Sequence, residues 1–150
     1  MRTAVLLSLL ATAICTGCGG GQVVPSVVPP TSSLHGGILV ALPDNQGFVE
    51  LLNDQREKRS GSIHMIITAY LLGPDQKTAL AQQPTQVSVK LDTAAGPKMI
   101  PLVVEPKPGD PLGAARFVSE LGPFELNQRG GEVTLAMNGK TLTVPFRGPR

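Results

Sequence analysis

From residue 34 onward, apolar and polar positions alternate along much of the chain, and a period of two marks a strand with one face turned inward. Ile38 to Leu42 and Gly47 to Asn53 are apolar runs flanking Pro43-Asp44-Asn45-Gln46-Gly47, which predicts a hairpin with a turn-rich loop. Glu50 to Lys58 also contains good helix formers. Gly47, Phe48 and Val49 favour strand, and the charged tail Arg56-Glu57-Lys58-Arg59 then becomes a solvated loop ending at Ser60-Gly61-Ser62. Ile63 to Leu72 predicts the central strand. Ile63, Met65, Ile67, Ala69 and Leu71 make one wholly apolar face, and His64, Ile66, Thr68, Tyr70 and Leu72 a mixed one, as in a sheet packed on one side. Gly73-Pro74-Asp75-Gln76 breaks it. Gln86 to Leu91 places Val87, Val89 and Leu91 inward, and Met99 to Glu105 does the same with Ile100, Leu102 and Val104.

Residues 110–122 carry two signals. Asp110 before Pro111 suits a helix N-cap followed by Pro, with Gly122-Pro123 as the stop. Gly113 falls inside that window, and Arg116-Phe117-Val118 favours a strand, which we place at Ala114 to Glu120. The last segment is the most specific. Glu132 to Met137 and Lys140 to Phe146 flank Asn138-Gly139, the pairing preferred in a type I′ hairpin turn. A two-residue loop sets Met137 opposite Lys140, Leu135 opposite Leu142 and Val133 opposite Val144, with Thr134 and Thr143 paired on the other face. Pro145 then lacks its N–H on the side away from the hairpin partner, so the final strand is an edge near that residue. Seven or eight strands and no long helix predict an all-β fold, an immunoglobulin-like β-sandwich in architecture, without the Cys-Trp-Cys hallmark.

The first residues change the picture. Arg2 and the apolar run Val5 to Ile14 form the n- and h-regions of a signal peptide, too short to span a bilayer. Thr16-Gly17-Cys18 resembles the lipobox of bacterial lipoproteins, the signal peptidase II class, with Cys15 where that pattern usually carries Leu. The resemblance implies cleavage before Cys18, a diacylglyceryl group on its sulfur and acylation of the new amine. Gly19 after the cysteine, rather than Asp, implies the outer membrane over the inner one. The chain has 2 Cys, both in this leader, so a mature chain starting at Cys18 forms no internal disulfide. The expected organisation is a signal peptide over 1–17, a lipid-anchored Gly/Pro/Ser-rich tether over 18–33, and the β-sandwich domain over 34–150.

Composition removes several functions. A formal net charge of +2 with scattered charges is no footprint for nucleic acid. With 4 Phe, 1 Tyr and no Trp, stacking on bases or sugars has little to work with. His35-Gly36-Gly37 resembles the glycine-rich oxyanion segment of esterases, but no Gly-x-Ser-x-Gly elbow accompanies it, and we read it as a flexible approach to the first strand. Leu34 to Val40, followed by Gly47-Phe48-Val49-Glu50, resembles the opening of small bacterial lipoproteins with a β-rich periplasmic domain, and of some periplasmic domains associated with metal efflux. That resemblance assigns no activity.

It does raise a copper-handling alternative, with His35, His64, Met65, Met99 and Met137 as soft or borderline ligands for Cu(I). Against it, His64 and Met65 are strand neighbours facing opposite ways, and Met65 and Met137 fit apolar registers where methionine is core filler. Neither histidine has a partner motif for acid–base or nucleophilic catalysis, and no pair of carboxylates stands out. The expectation is therefore a non-catalytic lipoprotein without a cofactor. It is held to the membrane through Cys18 and offers loops or an edge strand to another envelope protein.

Overall fold

The computed structural model describes residues 33–148 apart from 60–61, 94–95, 111, 113–114, 125 and 127–129. The signal peptide, Cys18 and most of the tether lie outside the described residues. The described fold is all-β. Its strands are β1 (Ile38–Ala41), β2 (Phe48–Arg59), β3 (Ser62–Leu72), β4 (Gln86–Thr93), β5 (Gly96–Val104), β6 (Arg116–Val118), β7 (Gly131–Met137) and β8 (Lys140–Phe146). All neighbours are antiparallel, in the order β1-β2-β3-β6-β5-β4-β7-β8, and the terminal strands β1 and β8 come into contact, so the sheet is nearly closed.

The local hairpins follow their sequence signals. In β7–β8 the observed partners include Met137 with Lys140, Leu135 with Leu142, Val133 with Val144 and Thr134 with Thr143, the register that pattern and turn chemistry both require. Asn138 (φ 52°) and Gly139 (φ 69°) take the left-handed angles of a type I′ turn, and the two threonine hydroxyls meet at 3.1 Å. Pro145 stands opposite Glu132 on β8, a terminal strand of the sheet. Val87, Val89 and Leu91 of β4 are buried as their alternation demands. With Val49, Leu51, Ile67, Leu71, Val133 and Leu135 they form the main core inside the curved sheet. Each such side chain contributes about 1.5–3 kcal/mol through burial.

Four expectations change. β2 does not end before its charged tail but runs to Arg59, with an irregularity between Gln55 and Glu57. Since β3 starts at Ser62 and pairs with Arg59, only two residues separate the strands, and β2 has no room to leave the sheet earlier. β3 is buried on both faces rather than one: Ile67, Ala69 and Leu71 face the core, while Thr68, Tyr70 and Leu72 are covered on the other side. Leu112, on the segment leading to β6, packs there against Phe48, Tyr70 and Leu72. Val104, expected inward, is 58% exposed. β5 pairs with β4 only as far as Leu102 and then passes to β6 through Val103 and Val104, so the inward alternation lapses at the change of partner. The strand expected at 114–120 is confined to Arg116–Val118. The Asp110 Oδ1 accepts the Leu112 amide at 2.9 Å.

Candidate functional site

The outer face of β2, β3 and β6 carries a row of polar side chains that the strand registers align. Glu50 on β2 is opposite Tyr70 on β3, and Tyr70 is opposite Arg116 on β6. One pleat further along, Thr68 shares the face of Tyr70, and its hydroxyl donates to Asp54 Oδ2 at 2.7 Å. Glu50, Thr68 and Arg116 are buried, an unusual concentration of polar groups for a sheet face.

Glu50 explains how the chain approaches β1. Its carboxylate is fully buried and accepts three hydrogen bonds from the preceding segment: His35 N at 2.7 Å, His35 Nδ1 at 2.8 Å and Gly37 N at 3.1 Å. A buried carboxylate costs several kcal/mol unless its lone pairs are satisfied, and this set satisfies them. Both glycines are needed. Gly36 has φ +81°, and a Cβ on Gly37 would lie 2.4 Å from the Leu51 carbonyl oxygen. His35-Gly36-Gly37 is therefore a pinned lead-in, not a flexible approach.

The His35 ring stacks on Tyr70, with centroids 4.1 Å apart and planes 12° from parallel. Its Nε2 lies 3.9 Å from Asp110 Oδ2, the atom that accepts the Tyr70 hydroxyl at 3.1 Å. The Leu112 amide draws the Asp110 carboxyl below its ordinary range, aided by the Tyr70 hydroxyl and by the nearby charges of His35 and Lys107, against a smaller opposing effect of burial. Burial raises the Tyr70 phenol, and the hydrogen bond to Asp110 and that residue's charge push the same way; Arg116 opposes them.

Residues 105–110 form a roof over this face, fastened at both ends. Arg116 Nη1 bonds Glu105 Oε1 at 2.8 Å and Glu105 O at 3.2 Å, and Glu105 N donates to Arg116 O at 3.0 Å. Asp110 holds the far end through Tyr70. Between the anchors, Pro106 and Pro108 stiffen the arch. Beneath it lies a recess of about 580 Å³ whose lining includes Asp54, Tyr70, Lys107 and Arg116. Asn53 also borders it. Both polar atoms of its amide are buried without a hydrogen-bond partner among the described residues.

The structure scatters the residues considered for copper. His35 belongs to the cluster just described. His64 is half-buried on β3 opposite Glu57, on the face of Thr68 and Tyr70. Met65 is half-buried on the inner face, its backbone bonded to Gly122 at 2.8 and 3.0 Å. Met99 is 58% exposed on β5 opposite Lys90, and Met137 packs against the main core beside the last turn. Among the described residues, no group of three His, Cys, Asp or Glu side chains is arranged to hold a metal ion.

The polar row itself, Glu50, Tyr70, Asp110 and Arg116 with Thr68 and Asp54, escaped the sequence reading. The available signal was a lone carboxylate in the apolar run Phe48-Val49-Glu50-Leu51-Leu52, which on a buried strand must find partners. Chemically the cluster holds groups in place: the Nδ1 of His35 is bonded to one carboxylate and its Nε2 faces another. Compared with known protein families, curated proteins and solved structures, the chain matches none.

Proposed function

We propose that the chain is a non-catalytic, lipid-tethered interaction module of the cell envelope, anchored through Cys18 and facing another envelope protein, with the outer membrane as its site. The observation that supports this reading is the pinned lead-in. The three hydrogen bonds from His35 and Gly37 to Glu50 fasten the segment by which the chain enters the body, so that a pull on the preceding residues is taken up by the sheet. The engagement of His35 by two carboxylates favours a holding role over proton transfer. We read β1-β2-β3-β6 and β5-β4-β7-β8, joined where β5 changes partner, as the two layers of an immunoglobulin-like sandwich. The terminal strand β8 is then the edge offered to a partner strand, limited by Pro145 and by its contact with β1.

The test begins with membranes from cells expressing the full chain. Mass spectrometry is expected to find the mature N-terminus at residue 18 carrying lipid, and Cys18→Ser to abolish that modification. A bare thiol at residue 18 overturns the anchor. Mild detergent extraction is expected to co-isolate one specific envelope protein, and recovery of none under several detergents overturns the interaction role.

A further inference from the structure

Asn138-Gly139 is the only Asn-Gly pair in the chain, and it forms the exposed tip of the β7–β8 hairpin. The type I′ turn selects these residues for their left-handed angles. The same pair is chemically fragile, because glycine has no side chain to shield its amide nitrogen from the asparagine carboxamide before it. Once that carboxamide is free to turn back on the chain, the Gly139 nitrogen gives up its proton and bonds to Asn138 Cγ. The Cγ–Nδ2 bond breaks and ammonia leaves. Water then opens the resulting succinimide at either carbonyl, giving aspartate or isoaspartate.

In the folded chain the carboxamide is engaged. Asn138 Nδ2 donates to Gln82 Oε1, and Gln82 Nε2 donates to Asn138 Oδ1, a closed reciprocal pair between residues 56 apart in sequence. Gln82 is positioned by its own segment. Leu80 N donates to Leu71 O at 2.9 Å, Gln83 Nε2 to Leu80 O at 2.9 Å, and Thr85 N to Ala136 O at 2.9 Å. The segment is thus tied to β3 at one end and to β7 at the other, with Gln82 between the ties and facing the turn.

We infer that Asn138 is a latent deamidation site and that Gln82 keeps it closed. The pair must open before Cγ can be attacked, so the folded rate is set by how often it opens. Conversion is not undone by reclosing: the product carboxylate has no Nδ2 to donate to Gln82 Oε1. Isoaspartate also adds a carbon to the backbone of the turn, which the Met137–Lys140 pairing has no room for. The site is independent of the lipid anchor and of any protein partner.

The full chain in detergent micelles, incubated in mildly alkaline buffer, tests it. Conversion at residue 138 is followed by mass spectrometry of proteolytic peptides, and the same chain in concentrated urea gives the unprotected rate. The folded parent is expected to convert about tenfold or more slowly than in urea, and Gln82→Ala to recover about three- to tenfold of that, the worth of two exposed amide hydrogen bonds. Gln82→Glu still accepts from Nδ2 but cannot donate to Oδ1, and its rate is expected to fall between; it carries the comparison if dichroism shows Gln82→Ala to be unfolded. All three chains should convert equally in urea, where the pair does not exist. Equal folded and unfolded rates for the parent, or folded variants that convert no faster than the parent, overturn the inference.

Discussion

Replacing Glu50 by Gln separates the charge of the buried carboxylate from its shape. The native group accepts from His35 N, His35 Nδ1 and Gly37 N, all within 3.1 Å. A glutamine oxygen retains one or two of these bonds, but its NH₂ then faces an N–H donor. The substitution thus loses at least one charge-assisted bond, about 1.5–3 kcal/mol, and leaves a donor unpaired at about 1–3 kcal/mol. His35 has 27% of its side chain exposed, so water reaches part of the cluster and the total falls toward the lower end, about 2–4 kcal/mol. Detachment of the lead-in sets a ceiling, because beyond that cost the segment leaves and the remaining strands stay paired.

Two observables distinguish local detachment from global unfolding. Tyr70 is the only tyrosine and the chain has no Trp, so intrinsic emission reports on the His35 stack, whereas far-ultraviolet circular dichroism reports on the sheet. Urea titration of Glu50→Gln is expected to show a lower midpoint by dichroism and an altered Tyr70 emission already in the absence of urea. Stability within about 0.5 kcal/mol of the parent together with unchanged emission would refute the assignment of Glu50 as the pin.

Other expectations follow from the same face. Ultraviolet titration of the single phenol should give a midpoint above 10.0, and Asp110→Asn should lower it by removing the charge that opposes ionisation; a midpoint at or below the ordinary value contradicts the burial and pairing of Tyr70. Because the unfolded chain ionises first, stability should fall as pH rises through 10.0 toward the higher folded value. The Asp110 carboxyl has the opposite sign: its folded pKa lies below 3.8, so its stabilisation is present above that pH and is lost as acid protonates it in the fold. Urea midpoints between pH 5 and 2 should therefore fall less steeply for Asp110→Asn than for the parent, and parallel slopes count against the Leu112 and Tyr70 bonds. Asn53→Leu removes a buried amide with both polar atoms unpartnered among the described residues and is expected to stabilise by about 1–2 kcal/mol in urea. A loss of stability of that size would mean that the amide has a partner in solution.

Legibility in the sequence tracked contact range. The β7–β8 hairpin was readable to the residue because Asn138-Gly139 and the flanking alternation lie within a few positions of one another and specify one register. The inward faces of β4 and β3 were equally local. The length of β2 was not, because pairing with β3 overrode the polar character of its tail. The second buried face of β3 depends on Leu112, about forty residues away, and the exposure of Val104 depends on where β5 changes partner. Glu50 offered a local hint, but its partners His35 and Gly37 are reached only when β1 folds back on β2. Asp110 before Pro111 signals a side-chain bond to an amide two residues on, whereas the bond of its other oxygen to Tyr70, forty residues back, has no local signal.

The distribution of charge over the two faces of the sheet argues for what the outer face is for. The buried members of the inner core are apolar, as stability alone requires, whereas Glu50, Thr68, Arg116 and Ser119 are the polar or charged residues among the described buried set. Ser119 is accounted for by the backbone, accepting Ile67 N at 2.9 Å and donating to Glu120 O at 2.8 Å. Glu50, Thr68 and Arg116 share the roofed face. Apolar residues there, packed as Leu112 packs on Phe48 and Leu72, would close the face at lower electrostatic cost. Instead Arg116 and Asp110 hold the roof away from the sheet at its two ends, and the space between them persists as a recess with Asp54 and Arg116 on its lining. The cluster is therefore best understood as a frame whose stabilising bonds also keep a polar opening in place.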